Sequence, residues 1–124
     1  MSRILIVDDD NDFSQACGAI LQQEGYDVVS ANAVEDVPPL IEKGGINLIL
    51  LDIMMESPDD GIALAHKLKK DGVAIPVIML SGVSKVTGYK YNCDEMLPCL
   101  DFIEKPVTPD MLLRKVKAVL DQSV

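Results

Sequence analysis

Asp8, Asp9, Asp52, Ser81 and Lys105 are the residues of this 124-residue chain whose types could do chemistry together. Each follows a run rich in apolar residues. ILIV precedes Asp8 and Asp9, LILL precedes Asp52, PVIML precedes Ser81 and DFIE precedes Lys105. Four of the five positions from 8 to 12 are Asp. Carboxylates brought close together repel one another, and a hard divalent cation with oxygen ligands relieves that repulsion. Mg2+ takes few carboxylates and keeps several waters, which suits two or three Asp better than a full Ca2+ cage. A cation, a carboxylate with an oxygen to spare, a hydroxyl and an ammonium are the equipment of phosphoryl transfer. The carboxylate attacks phosphorus to give an acyl phosphate, while cations and donors hold the charge on the equatorial oxygens. Asp52 is the best nucleophile of the set, lying between the other acids and the Ser81/Lys105 side.

No single member of this set is specific. Asp after a strand is commonly a cap or turn residue, which describes Asp10 or Asp12 about half the time. A lone Lys after a strand is usually solvated. Specificity comes from suitable side chains at four strand ends together, which depends on the elements that place them.

Apolar runs alternate with segments of helical period. Arg3–Val7 reads as a strand that is apolar on both faces. Phe13, Ala16, Cys17, Ile20 and Leu21 form one stripe of an amphipathic helix, with N-cap candidates at residues 10–12 and a stop at Gly25. Tyr26–Ala31 is a second strand. Val34–Lys43 is a weak helix that Pro38 and Pro39 either break or delay. Ile46–Leu51 is a third strand, Gly61–Lys70 a helix, Pro76–Leu80 a fourth strand, Leu100–Ile103 a fifth, and Pro109–Leu120 a final helix facing inward through Leu112, Val116, Val119 and Leu120. Strands and helices in this alternation predict an α/β fold, a doubly wound five-stranded parallel sheet of flavodoxin-like type in the order 2-1-3-4-5. In that order, strands 1, 3, 4 and 5 are contiguous and about 4.8 Å apart, so the chemically active residues converge on one edge. Residues 83–99 carry no clean helical period, and an irregular segment is expected there in place of much of a helix.

Composition narrows the function. Apolar residues make up 48% and charged residues 25%, with a formal net charge of −9 and a pI near 4.4. One domain spanning 1–124 is expected from the length. So acidic a chain repels a phosphate backbone, so no direct nucleic-acid contact is expected. No signal peptide opens the chain, and no apolar run approaches the ~20 residues of a membrane helix, so a cytoplasmic protein without membrane insertion is expected. Cys17, Cys93 and Cys99 fit neither a zinc nor a CxxC redox spacing. His66 has no partner at ligand spacing and reads as a solvated or partly packed residue.

The motifs ILIVDDD, LILLDIMM, PVIMLSG and DFIEKPV, in this order and at this spacing, resemble the receiver domain of bacterial two-component response regulators, and the resemblance covers essentially the whole chain. It implies that Asp52 is the phosphoacceptor, charged by a sensor histidine kinase, a phosphotransfer protein or a small acyl phosphate. It implies Mg2+ as the cofactor, at a site made by Asp8, Asp9, Asp52 and the backbone carbonyl of Met54. Ser81 matches the switch hydroxyl and Gly82 the small residue beside it. Lys105 matches the family lysine, with a cis peptide bond between Lys105 and Pro106, and Phe102 takes the switch-aromatic position. A downstream protein target is implied, and no enzymatic turnover beyond the chain's own phosphorylation and dephosphorylation. Met54 and Val83, two residues beyond Asp52 and Ser81, occupy positions that in the family influence the hydrolytic water. Both are apolar, which implies a long-lived acyl phosphate.

The chain departs from the family in two places. Glu56 stands where the family carries Pro, and Gly61 falls one residue later than usual, giving a longer, more acidic loop above the site. The irregular segment also falls on the surface that commonly docks partners. Among rivals, an Asp-nucleophile phosphatase needs an acid two residues after the nucleophile, where this chain has Met54. A flavodoxin-like anion site is opposed by Asp8–Asp10. A receiver-fold adaptor that takes no phosphate stays open.

Overall fold

The computed structural model describes residues 2–52, 60–81, 101–104 and 108–122, with side chains described at 2–52, 63–80, 103 and 108–120. Its strands are β1 (Arg3–Val7), β2 (Asp27–Ala31), β3 (Ile46–Asp52), β4 (Val77–Ser81) and β5 (Asp101–Glu104). Its helices are α1 (Asn11–Gln23), α2 (Val37–Glu42), α3 (Asp60–Lys70) and α4 (Pro109–Gln122). The sheet is parallel throughout, in the order β2-β1-β3-β4-β5, as the alternation predicts.

Strand residues alternate between two cores. Leu5, Val7, Ile49, Leu51, Val77 and Met79 pack with Val37 of α2 and Leu64, Ala65 and Leu68 of α3. Ile4, Ile6, Leu48, Leu50, Ile78, Leu80 and Ile103 pack with Cys17 and Leu21 of α1 and Leu112, Val116 and Val119 of α4. Both faces of β1, β3 and β4 are thus covered, which is why these runs carry no polar alternation. Each fully buried Leu or Ile contributes roughly 1.5–3 kcal/mol.

Local chemistry sets where the helices begin and end. Asp10 is the N-cap of α1, its Oδ1 accepting the Phe13 N–H at 3.2 Å. Gly25, at φ +92°, lies just past the helix, and its N–H donates to the Gln22 carbonyl at 3.0 Å. Pro38 and Pro39 delay the second helix rather than break it. Residues 34–36 form a 3-10 turn, and the prolines occupy the first turn of α2, where a missing N–H removes no intrahelical bond.

Two local features differ from the periodicity reading. Ala16 is exposed, while Ser14 and Gly18 are buried. The buried face of α1 is rotated toward β2, so that Gly18 lies over Val28, where a Cβ would meet Val28 Cγ1 at 3.5 Å. In β3, Arg3 pairs with Ile46 but Ile4 pairs with Leu48, so Asn47 is an extra residue. Its Oδ1 accepts the Arg3 N–H at 2.8 Å, and the inward parity of β3 shifts at this bulge. Cys17 is buried and His66 exposed. Among the described residues no helix is long and apolar enough to cross a membrane. The 83–99 segment, Cys93 and Cys99 lie outside the described residues.

Candidate functional site

The site is built from the carboxyl ends of the central strands. Val7 pairs with Leu51, so Asp8 and Asp52 are the next residues along two adjacent strands. A carboxylate oxygen from each of Asp8, Asp9 and Asp52 lies within 4.8 Å of the others. Asp8 is 0% exposed and Asp52 5%, whereas Asp9 is exposed. Two of the three charges are therefore held at the floor of the site, and the third faces solvent.

Burying a carboxylate is costly unless it is hydrogen-bonded or paired. Asp8 meets this need partly within its own loop. Its Oδ1 accepts the Asp10 N–H at 2.9 Å, while its backbone N–H separately donates to the Ala31 carbonyl of β2 at 3.1 Å. The Asp8–Asp10 contact is an Asx-turn, legible in Asp8 itself, because the donor is a backbone N–H that any non-proline residue at position 10 supplies. Asp52 ends β3, where Leu80 of β4 is its register partner. Ser81 is the next residue of β4 and pairs with Glu104. The backbone thus sets Ser81 one strand across from Asp52. Phe102 lies on β5 opposite Met79. The side chains of Ser81 and Phe102 lie outside the described residues, as do Met54, Gly82, Lys105 and the Lys105–Pro106 peptide bond.

The donor set is all oxygen, with no His or Cys, and places three carboxylates within reach of one ion. Hard donors in this number suit Mg2+ and do not suit a zinc site. At 4.8 Å, the outer limit of this group, two carboxylates repel by about 0.9 kcal/mol in bulk water and about 3.5 kcal/mol at an effective dielectric of about 20. A cation among them turns that repulsion into attraction.

Comparison with known proteins agrees with this geometry. Residues 4–117 match the family model of the response regulator receiver domain. The chain is 36% identical over 123 residues to the uncharacterized transcriptional regulatory protein YbdJ of Bacillus subtilis, covering 96% of this chain and 51% of that protein. It is 34% identical over 122 residues to the regulatory protein VanR of Enterococcus faecium, covering 95% of this chain and 49% of that protein. The chain therefore spans about half the length of these curated relatives. Among solved structures, a CheY-like receiver domain protein from Methanospirillum hungatei superposes with a TM-score of 0.82 at 32% identity, covering 98% of this chain and 95% of that one. The receiver domain of the Francisella response regulator 1452 superposes with a TM-score of 0.86 at 27% identity, over 100% of both chains. On the strength of the family match and these relatives, the chain belongs to the response regulator receiver domain family of two-component systems.

Proposed function

We propose that this receiver domain is a phosphoacceptor switch, taking a phosphoryl group on Asp52 from a sensor histidine kinase or a phosphotransfer protein. The observation that carries the reading is the convergence of Asp8, Asp9 and Asp52 within 4.8 Å at the ends of β1 and β3. Asp8, Asp9 and Asp52, with the Met54 carbonyl, would hold Mg2+, which supplies charge neutralisation for the incoming phosphoryl oxygens. Asp8 holds the loop through one carboxylate oxygen, and exposed Asp9 faces the side from which a donor approaches. A lone pair of an Asp52 carboxylate oxygen forms the new O–P bond. The P–N bond of the phosphohistidine breaks, and its electron pair leaves on the imidazole nitrogen. Ser81, placed one strand across, donates its hydroxyl to the transferred group, and Lys105 pairs with its charge. Movement of Ser81 draws Phe102 inward and biases a two-state equilibrium that reshapes the surface read by a downstream protein.

In this reading the chain turns over no substrate other than its own acyl phosphate, and it works in the cytoplasm through protein contacts rather than nucleic acid or membrane. The test is incubation with Mg2+ and a small acyl phosphate, or with beryllofluoride, followed by mass spectrometry or NMR. An adduct on the wild type that Asp52→Asn lacks is the expected result. Equal behaviour of the two proteins refutes phosphorylation at Asp52 and leaves the adaptor reading.

A further inference from the structure

We infer that Asp10 is a positioning residue for the cation site: by capping α1 it fixes the backbone N–H that holds Asp8. The inference rests on the phosphoacceptor reading above.

Only residues 8–10 separate β1 from α1. Hydrogen bonds hold this short loop at both ends. The Asp8 N–H donates to the Ala31 carbonyl of β2 at 3.1 Å. The Asp8 Oδ1 accepts the Asp10 N–H at 2.9 Å. The Asp10 Oδ1 accepts the Phe13 N–H at 3.2 Å, and the Asp10 carbonyl accepts the Ser14 N–H at 3.0 Å. Phe13 packs against the core beneath α1, and Ser14 is buried. A continuous path thus runs from β2 through Asp8 and Asp10 into a first turn anchored in the core. Asp9, the exposed acid of the cation group, lies between the two anchored residues, so its backbone has little freedom of its own.

The role is geometric rather than electrostatic. Asp10 is exposed, and its carboxylate is not among the three that gather within 4.8 Å. Its side chain is already engaged on the Phe13 N–H. What the loop needs from it is an acceptor at the N-cap, which Asn or Ser supplies as well as Asp, whereas Ala supplies none. Without that acceptor the first turn loosens, the Asp10 N–H drifts from Asp8, and Asp9 loses its fixed offset from Asp52.

The experiment is a Mg2+ titration of the whole chain at low temperature, followed by amide chemical shifts, with folding checked by circular dichroism. Wild type, Asp10→Asn, Asp10→Ser, Asp10→Ala and Asp52→Asn are compared. Asp10→Asn and Asp10→Ser are expected to bind within about two-fold of wild type, and Asp10→Ala roughly three- to ten-fold more weakly, the scale that a lost N-cap implies. A role limited to fold stability would lower the melting temperature of Asp10→Ala without changing the affinity of the folded protein. Wild-type affinity in Asp10→Ala overturns the inference, and so does equal weakening in Asp10→Asn and Asp10→Ala, which would mean charge rather than capping. If Asp10→Ala fails to fold, all five proteins are compared in sucrose, an excluded osmolyte that favours the folded state, with the same two outcomes. A wild type that does not bind Mg2+, or an Asp52→Asn that binds it equally well, overturns the site reading itself. A flat Asp10 series beside a normal Asp52→Asn overturns only the positioning role.

Discussion

Asp52→Asn should stabilise the metal-free protein while removing its response to Mg2+. Asp52 is 5% exposed and shares a space of 4.8 Å with the carboxylates of Asp8 and Asp9. Each pair at that limit repels by about 0.9 to about 3.5 kcal/mol, depending on the local dielectric. The Asp9 pair belongs at the low end because Asp9 is exposed, and the Asp8 pair higher because Asp8 is fully buried. Part of the relief is offset, since a charge-assisted hydrogen bond to a carboxylate is stronger than one to an amide. The expected net gain is about 1–2 kcal/mol, or a rise of roughly 3–8 °C in melting temperature for a domain of this size. The assay is thermal unfolding in EDTA and again in Mg2+. At 20 times its dissociation constant, Mg2+ should stabilise the wild type by about 1.8 kcal/mol. Asp52→Asn should lose most of that increment. A lower melting temperature for Asp52→Asn in EDTA, or an equal Mg2+ increment in both proteins, refutes the reasoning, because the first means that repulsion does not dominate at Asp52 and the second that Asp52 does not hold the cation.

Three further outcomes are expected. Leu50→Ala should cost about 2–5 kcal/mol in urea unfolding, because Leu50 is 0% exposed in the core beneath α1 and α4 and its removal leaves a cavity; a loss under 1 kcal/mol would mean that the core collapses around it. Gly18→Ala should stabilise by about 0.5–1 kcal/mol, since a Cβ there meets Val28 Cγ1 at 3.5 Å, an ordinary contact, and the helix gains the propensity difference. Destabilisation would mean that α1 sits too close to β2 for a methyl group. If Met54 and Val83 take the positions that act on the hydrolytic water in the family, the phosphorylated protein should lose its label over minutes or longer, because apolar side chains orient no water; a half-life of seconds contradicts this.

Much of the architecture was legible in the residues. Continuous apolar runs such as INLILL can be solvated on neither face, so a parallel sheet covered by helices on both sides follows from them. Gly25 marked the end of α1, and Pro38 and Pro39 announced an irregular start to the second helix. Asp8, Asp9 and Asp52 could be singled out because acids at the ends of such strands have no apolar reason to be there, and the strand order brings them to one edge.

Other features depended on contacts between segments distant in the chain, where local pattern is silent. Helical period placed Ala16 inward, but docking against β2 turned α1 so that Ser14 and Gly18 are covered instead. The register shift at Asn47, whose Oδ1 accepts the Arg3 N–H of a strand more than forty residues earlier, appears only when the two strands pair. Adjacent aspartates 8 and 9 look alike in sequence, yet one is sealed against Ala31 and Asp10 while the other faces solvent. The sequence by itself determined which segments become buried strands and that acids follow β1 and β3, because burial periodicity is a local pattern. Only the tertiary structure decided how each carboxylate is held there, because hydrogen bonds across the loop and the packing of α1 are set by elements the local sequence does not contain.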